Sequence, residues 1–237
     1  MKKVLLLGAS GQIAPNIIPD MESHCDLILA DVKPYPDGRP IEHVDMRDYD
    51  QVRDAMQGMD AVMNFTVNRP DPILSFHVSV LGALHVMKAA AELGLKKVVH
   101  TGPQLVRSYY DQDFEITDVP RAPGTGYYGI TKMLSYEICR TYARIYDIQT
   151  ICFVFNSLGL EPSEPIKGED FPPFRIFWKD LAHACCLALD IESVPDNYQE
   201  FNMVSMTAHQ KYTMEKAQRI LGYEPAERWE NYYKRDV

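Results

Sequence analysis

Long apolar runs, internal repeats, low-complexity tracts and metal-spaced cysteines or histidines are all missing from this chain of 237 residues. A basic excess is missing too. With 24 Lys and Arg against 33 Asp and Glu, the formal charge is -9, and the acidic residues are scattered, which argues against nucleic-acid or membrane-surface partners. The five cysteines (Cys25, Cys139, Cys152, Cys185 and Cys186) form no C-x-x-C pair and are odd in number, so neither a disulfide framework nor a zinc site is expected. Free thiols suit a reducing compartment, and a cytoplasmic protein is the expectation. The opening "MKKVLLLGAS" holds an apolar stretch too short for a secretion signal core or a membrane span, and reads as a buried strand.

Short apolar runs are present in number: "KVLLLG", "DLILAD", "DAVMNF", "KKVVHT" and "QTICFVF". Between them lie stretches of helical period, "DYDQVRDAMQ", "ILSFHVSVLGALHVMKAAAELG" and "MLSYEICRTYARIY". Strands apolar on both faces, alternating with helices, predict an α/β fold with a doubly wound parallel sheet covered on each side. Two Pro-rich segments, "KPYPDGRP" and "LEPSEPIKGEDFPPF", read as irregular loops, the second covering a pocket. Beyond it a helix near Asp180, a strand "EFNMVS" and a last helix "TMEKAQRILG", stopped by Gly222 and Pro225, are expected.

"VLLLGASGQIA" combines a strand, a Gly-rich turn and a helix start, the setting in which a backbone can approach a pyrophosphate. Gly8, Gly11 and Ala14 give G-x-x-G-x-x-A, and Ser10, Gln12 and Ile13 share the turn. Pro15 is tolerated only in a first helical turn, and Pro19 predicts a short helix. Asp31, ending the second strand twenty residues past Gly11, can accept from the adenosine ribose hydroxyls and repel a 2′-phosphate. NAD is therefore the expected cofactor, bound by a Rossmann-like sheet. In "YYGITK", Tyr128 and Lys132 stand four residues apart on one helix face.

With "GASGQIA", Asp31, "HVDMRD" and "YYGITK" in this order, the chain resembles the extended short-chain dehydrogenase/reductase family of NAD-dependent sugar epimerases and dehydratases, over nearly its whole length. Within that family it looks most like the uronate dehydrogenases, which share a Gly-Gln turn and a similar "DVPRAPGTGYYG" approach to the tyrosine. The resemblance implies one NAD-binding domain over 1–237, with substrate-binding elements mainly in 157–237, a small-molecule substrate and a possible homodimer. It implies Asp45 and Met46 near the adenine, and Asn64 as a further cofactor contact. Tyr128 would be the catalytic acid/base and Lys132 its partner, lowering the phenol's pKa and donating to the nicotinamide ribose.

The likeness breaks where the family carries a catalytic Ser or Thr after the fifth strand: that position is Pro103, which has neither hydroxyl nor N–H. Thr101 lies two strand residues away, about 6.6 Å, and could replace the hydroxyl only across a bulge. Gln104 could reach in from the following loop. Ser79 stands for a frequent Asn, and Phe153 for a common Arg. Asn156 and Ser157 after the sixth strand, and Arg175 as a carboxylate clamp, complete the substrate-side candidates. His100 and Cys185-Cys186 read as core, and the Tyr-rich helix as either core or subunit contact. The leading function is an NAD-dependent oxidoreductase or epimerase acting on a small sugar or sugar acid. The alternatives are a nucleotide-sugar epimerase or dehydratase, and a non-catalytic NAD-binding regulator, the last favoured by Pro103.

Overall fold

The computed structural model describes residues 1–164, 174–205, 211–226, 228 and 232. Its frame is a parallel sheet of seven strands: β1 (Lys3–Leu7), β2 (Asp26–Asp31), β3 (Glu42–His43), β4 (Ala61–Asn64), β5 (Lys97–Pro103), β6 (Gln149–Phe155) and β9 (Tyr198–Met203). Their order across the sheet is β3-β2-β1-β4-β5-β6-β9. A separate parallel pair joins β7 (Ser157–Gly159) to β8 (Arg175–Phe177). The chain leaves β1 in one direction and returns to β4 on its other side, so a crevice opens at the carboxyl ends of these two strands.

The unbroken apolar runs produce this sheet because both faces are covered. Val4 and Leu6 of β1 pack into one core with Ile17 and Ile18 of α1 (Ala14–Met21) and Leu181 and Cys185 of α6 (Trp178–Asp190). Leu5 and Leu7 point to the opposite core, with Val52 of α2 (Tyr49–Ala55), Val86 of α4 (Gly82–Leu93) and Tyr136 of α5 (Tyr127–Tyr146). The period of two along β1 therefore divides its four buried residues between two helical layers.

Local signals act where the sequence places them. Pro15 sits in the first turn of α1, and Pro19 lies inside this eight-residue helix. Asp48 caps α2 by accepting from the Asp50 and Gln51 amides. Asp71 accepts from the Leu74 amide to start α3 (Pro72–Ser75), which runs through a π-helical turn (Phe76–Leu81) into α4. That rod, Pro72–Leu93, is long and apolar enough to cross a membrane by length and composition, yet it packs against α2 and α5 as a layer helix. The last helix, α7 (Glu215–Leu221), ends at Gly222 with φ +68°, as expected. "KPYPDGRP" is an irregular loop, whereas most of the second Pro-rich segment, residues 165–173, lies outside the described residues.

Candidate functional site

The Gly-rich turn is shaped by close approach. Gly8 has φ +87°, and a Cβ there would lie 2.9 Å from the Phe65 carbonyl carbon at the end of β4. Only glycine allows both features. The Gly11 amide closes the turn on the Gly8 carbonyl at 3.0 Å. Opposite it, the Asp31 carboxylate accepts from the Ser10 amide and from the Lys33 amide, each at 3.0 Å, while Ser10 Oγ donates to the Lys33 carbonyl. These bonds fix the carboxylate and leave lone pairs facing the crevice.

A cavity of about 740 Å³ opens there, lined by Gly8, Ser10, Gly11, Gln12, Ile13, Asp31, Asp45 and Met46. Its size suits a large organic ligand. The tight glycine cradle and the oriented carboxylate fit a dinucleotide, so these residues would hold NAD. Asp45 is itself engaged: Arg47 chelates it through Nε and Nη2, a pairing that holds its carboxyl below the ordinary range. The Met46 carbonyl meets His85 Nδ1 at 2.9 Å. Asn64 stands one step behind the cavity wall, its Oδ1 accepting from Thr66 N and Oγ1, so it shapes the lining without being part of it. Arg39 is paired with Glu22 and Asp37 and lies outside the cavity, whereas Lys33 lines it.

A second cavity of about 320 Å³ adjoins the first, and the two share Ile13, Phe65, Val67, Arg69 and Leu158. Tyr128, Lys132, Thr101, Pro103, Gln104 and Asn156 line it. The helix pair and the end of β5, read separately from the sequence, therefore meet on one cleft. Of the lining residues, only Leu158 belongs to 157–237; the rest come from earlier in the chain, so the described wall of this cavity is built mainly by the sheet's carboxyl edge.

Three placements differ from expectation. Pro103 is not in a loop: it is the last residue of β5, in register with Phe155. Lys132 is fully buried and donates to the carbonyls of Thr66 and Thr101, at 3.0 and 3.1 Å. The cation beside Tyr128 is instead Arg69, whose Nη2 lies 3.4 Å from the phenolic oxygen and whose Cζ sits 5.0 Å from the ring centre. Burial raises the Tyr128 pKa, and Arg69 opposes that rise. Sequence reasoning missed Arg69. The signal was its position in "NRPDP", directly after the fourth strand, where the sheet reverses direction.

Gln104 is where the cleft is least satisfied. It is buried, yet neither its amide nitrogen nor its carbonyl oxygen has a hydrogen-bond partner among the described residues. A buried amide on a cavity wall keeps both a donor and an acceptor for whatever enters the cavity. Thr101 is buried with its hydroxyl 3.5 Å from the Asn64 carbonyl, and no bulge carries it to the Pro103 position. Asn156 is exposed at the cavity rim. Ser157 and Arg175 lie on β7 and β8 and line neither cavity; Arg175 packs over Gly159 and donates to the Leu160 carbonyl at 3.5 Å. His100 is a core residue as expected, bonded to Ser135 and kept neutral by burial and by the charge of Lys132. Cys185 is buried on α6, and no group of metal-binding side chains occurs among the described residues.

Desolvation holds Lys132 down at about 8 against an ordinary 10.5, with Arg69 pushing the same way. Above pH 8 the folded chain releases a proton that the unfolded chain keeps, so stability from this group rises between about pH 8 and 10.5. Lys132→Met should remove that rise, worth roughly 3 kcal/mol. Urea unfolding of both proteins across this range checks it; parallel pH dependences would disprove the assignment.

Residues 4–170 match the model of the NAD dependent epimerase/dehydratase family. A uronate dehydrogenase of Pseudomonas syringae pv. tomato is 27% identical over 170 residues, which cover 68% of this chain and 61% of that protein. The chain thus spans less than two thirds of that relative's length. Among solved structures, the uronate dehydrogenase of Agrobacterium tumefaciens superposes with TM-score 0.82 at 20% identity, over 98% of this chain and 87% of the other. The glucuronic acid dehydrogenase of Chromohalobacter salexigens gives 0.83 at 20% identity, over 98% and 86%. At such identities these structures establish the fold. The chain belongs to the NAD dependent epimerase/dehydratase family, whose cofactor is NAD.

Proposed function

We propose that this protein is an NAD-dependent oxidoreductase acting on a small sugar or sugar acid, with Tyr128 as its acid/base. The observation that carries this reading is the meeting of Tyr128, Lys132 and the unpartnered Gln104 on one cavity that opens into the cleft beneath Gly8 and Asp31. When bound, NAD would accept the hydride. The chain's own residues divide the remaining tasks. Tyr128 takes the hydroxyl proton as the carbonyl forms. Gln104 occupies the place of the missing Ser or Thr and donates its amide N–H to the reacting oxygen, a contact whose loss typically costs on the order of 10²–10³ in rate. Lys132 spends two donors on the carbonyls of Thr66 and Thr101, and its third would serve the nicotinamide ribose.

The cavity of about 320 Å³ is small, and the Pseudomonas syringae relative is a uronate dehydrogenase, so a free sugar acid is the substrate class proposed. A single domain, a cytoplasmic location and a homodimer belong to the same proposal; Ile145 and Tyr146 leave the end of α5 open to a second copy. The deciding experiment incubates purified protein and NAD with uronates and aldoses, following NADH absorbance. Turnover of a uronate but not of the matching aldose supports the reading. NAD binding with no turnover of any of them would favour a regulator.

NAD should bind with clear preference over NADP, because Asp31 meets the position a 2′-phosphate would need. Calorimetric titration of both cofactors tests this, and Asp31→Ala should narrow the gap. Equal or tighter NADP binding by the wild type would refute it, with Lys33 the residue then responsible.

A further inference from the structure

Charge is unevenly spread over the small cavity. The chain as a whole carries -9, yet the described residues lining this cavity include two cations, Arg69 and Lys132, and no carboxylate. A cavity of that kind concentrates anions. Lys132 is enclosed and gives two of its donors to the Thr66 and Thr101 carbonyls, which leaves Arg69 as the cation free to meet an incoming ligand. Arg69 is exposed, on the wall that the small cavity shares with the cofactor cleft.

We propose that Arg69 is the specificity-determining residue of this site, binding the carboxylate of a sugar acid and so setting uronates apart from neutral aldoses. The proposal rests on the oxidoreductase reading above. Three observations carry it. The guanidinium is not neutralised: among the described residues no carboxylate pairs with it, whereas Arg47 is held by Asp45 and Arg39 by Glu22 and Asp37. Its planar fork is therefore open to a carboxylate through two parallel N–H bonds, a fit that an ammonium lacks. Its place is fixed by the start of α5, since the Tyr127 hydroxyl donates to the Arg69 backbone carbonyl and the guanidinium lies over the Tyr128 ring, Cζ 5.0 Å from its centre. Its reach suits a small substrate: Nη2 is 3.4 Å from the Tyr128 oxygen, so the group that binds the carboxylate and the group that takes the hydroxyl proton are neighbours, and one monosaccharide can touch both.

Arg175, the carboxylate clamp expected from the sequence, lies on β8 and lines neither cavity. Arg69 supplies the same chemistry from the segment that follows β4. Around it the described lining is neutral apart from Lys132. Gln104 and Asn156 offer hydrogen bonds to sugar hydroxyls, and Val67, Leu105 and Leu158 supply apolar contact. Nothing in that set rejects an aldose, so the discrimination falls to the charge.

The test compares wild type, Arg69→Lys and Arg69→Met. Both variants keep the Tyr127 bond, which goes to the main chain. In NADH-loaded protein, where no hydride can pass to the cofactor, D-glucuronate, D-galacturonate and the matching aldoses are titrated by calorimetry. Wild type should bind a uronate more tightly than its aldose, and Arg69→Met should weaken the uronate roughly 10- to 100-fold while leaving the aldose and NADH unchanged. Arg69→Lys, which keeps the charge and loses the fork, should fall between. Added salt should weaken uronate binding in wild type and much less in Arg69→Met. In turnover with NAD⁺ the loss should appear in KM for the uronate, with kcat changed far less. Equal uronate affinity in wild type and Arg69→Met would overturn the role of Arg69, and the proposed function would stand as long as wild type oxidises a uronate. Weakened NADH binding with an unchanged uronate-to-aldose ratio would also overturn it, and would assign Arg69 to the cofactor pyrophosphate. A wild type that neither binds nor oxidises either uronate would overturn both.

Discussion

Tyr128→Phe should lower turnover by on the order of 10² or more while leaving NAD affinity nearly unchanged. The substitution deletes one oxygen and keeps the ring, so the packing beneath Arg69 survives and the large cleft, which Tyr128 does not line, is untouched. Among the described residues lining the small cavity, none is placed to take over the proton. Thr101 and Gln104 carry no group that titrates near neutrality, and Lys132 is tied to two carbonyls. Steady-state kinetics on the substrate found by the uronate screen, with calorimetry for NAD, separates the two effects. A loss confined to KM would mean that Tyr128 only binds substrate. Activity that survives intact would remove Tyr128 from the reaction.

The second large effect is on stability. Glu200 of β9 is almost enclosed and accepts from Arg107 Nη2 at 2.9 Å, from the Tyr198 hydroxyl at 2.8 Å, and from Arg121. The Arg107 side chain is 3% exposed and, among the described residues, has only Asn202 as a further partner, at 2.8 Å. Glu200→Ala leaves the enclosed Arg107 without its carboxylate while Arg121 keeps Glu137, and a buried pair broken on one side costs roughly 3–5 kcal/mol. Urea unfolding should show that loss. Glu200→Gln, which keeps the acceptor oxygen but not the charge, should fall between the two. A loss below about 1 kcal/mol in the Ala variant would mean that solvent reaches the arginines and replaces the carboxylate. The pair also matters to the site, because Arg107 anchors the turn Gln104–Tyr110 whose first residue is the unpartnered amide of the small cavity. Substrate affinity should therefore weaken along with stability.

The parallel order of the sheet, the glycine turn on the crevice, the carboxylate at the end of the second strand and the Tyr/Lys pair on one helix were all legible in the residues. Each is written within a short window: apolar runs make buried strands, a left-handed glycine makes the turn, and a spacing of four makes a shared helix face. Pro103 was legible as a missing hydroxyl, but not as the last rung of β5 paired with Phe155. The direction of the Lys132 ammonium was not legible, because its partner Thr66 lies 66 positions away. Nor was the Arg107–Glu200 pair, 93 positions apart, or the approach of Arg69 to Tyr128 across 59. By itself the sequence determined the layers, the glycine turn with its carboxylate opposite, and the helix face that Tyr128 and Lys132 share, since backbone geometry and hydrophobic period act over a few residues. Only the tertiary structure decided which cation meets the phenol and which buried amide is left without a partner, because a flexible side chain's neighbours are fixed by the packing of segments distant in the chain.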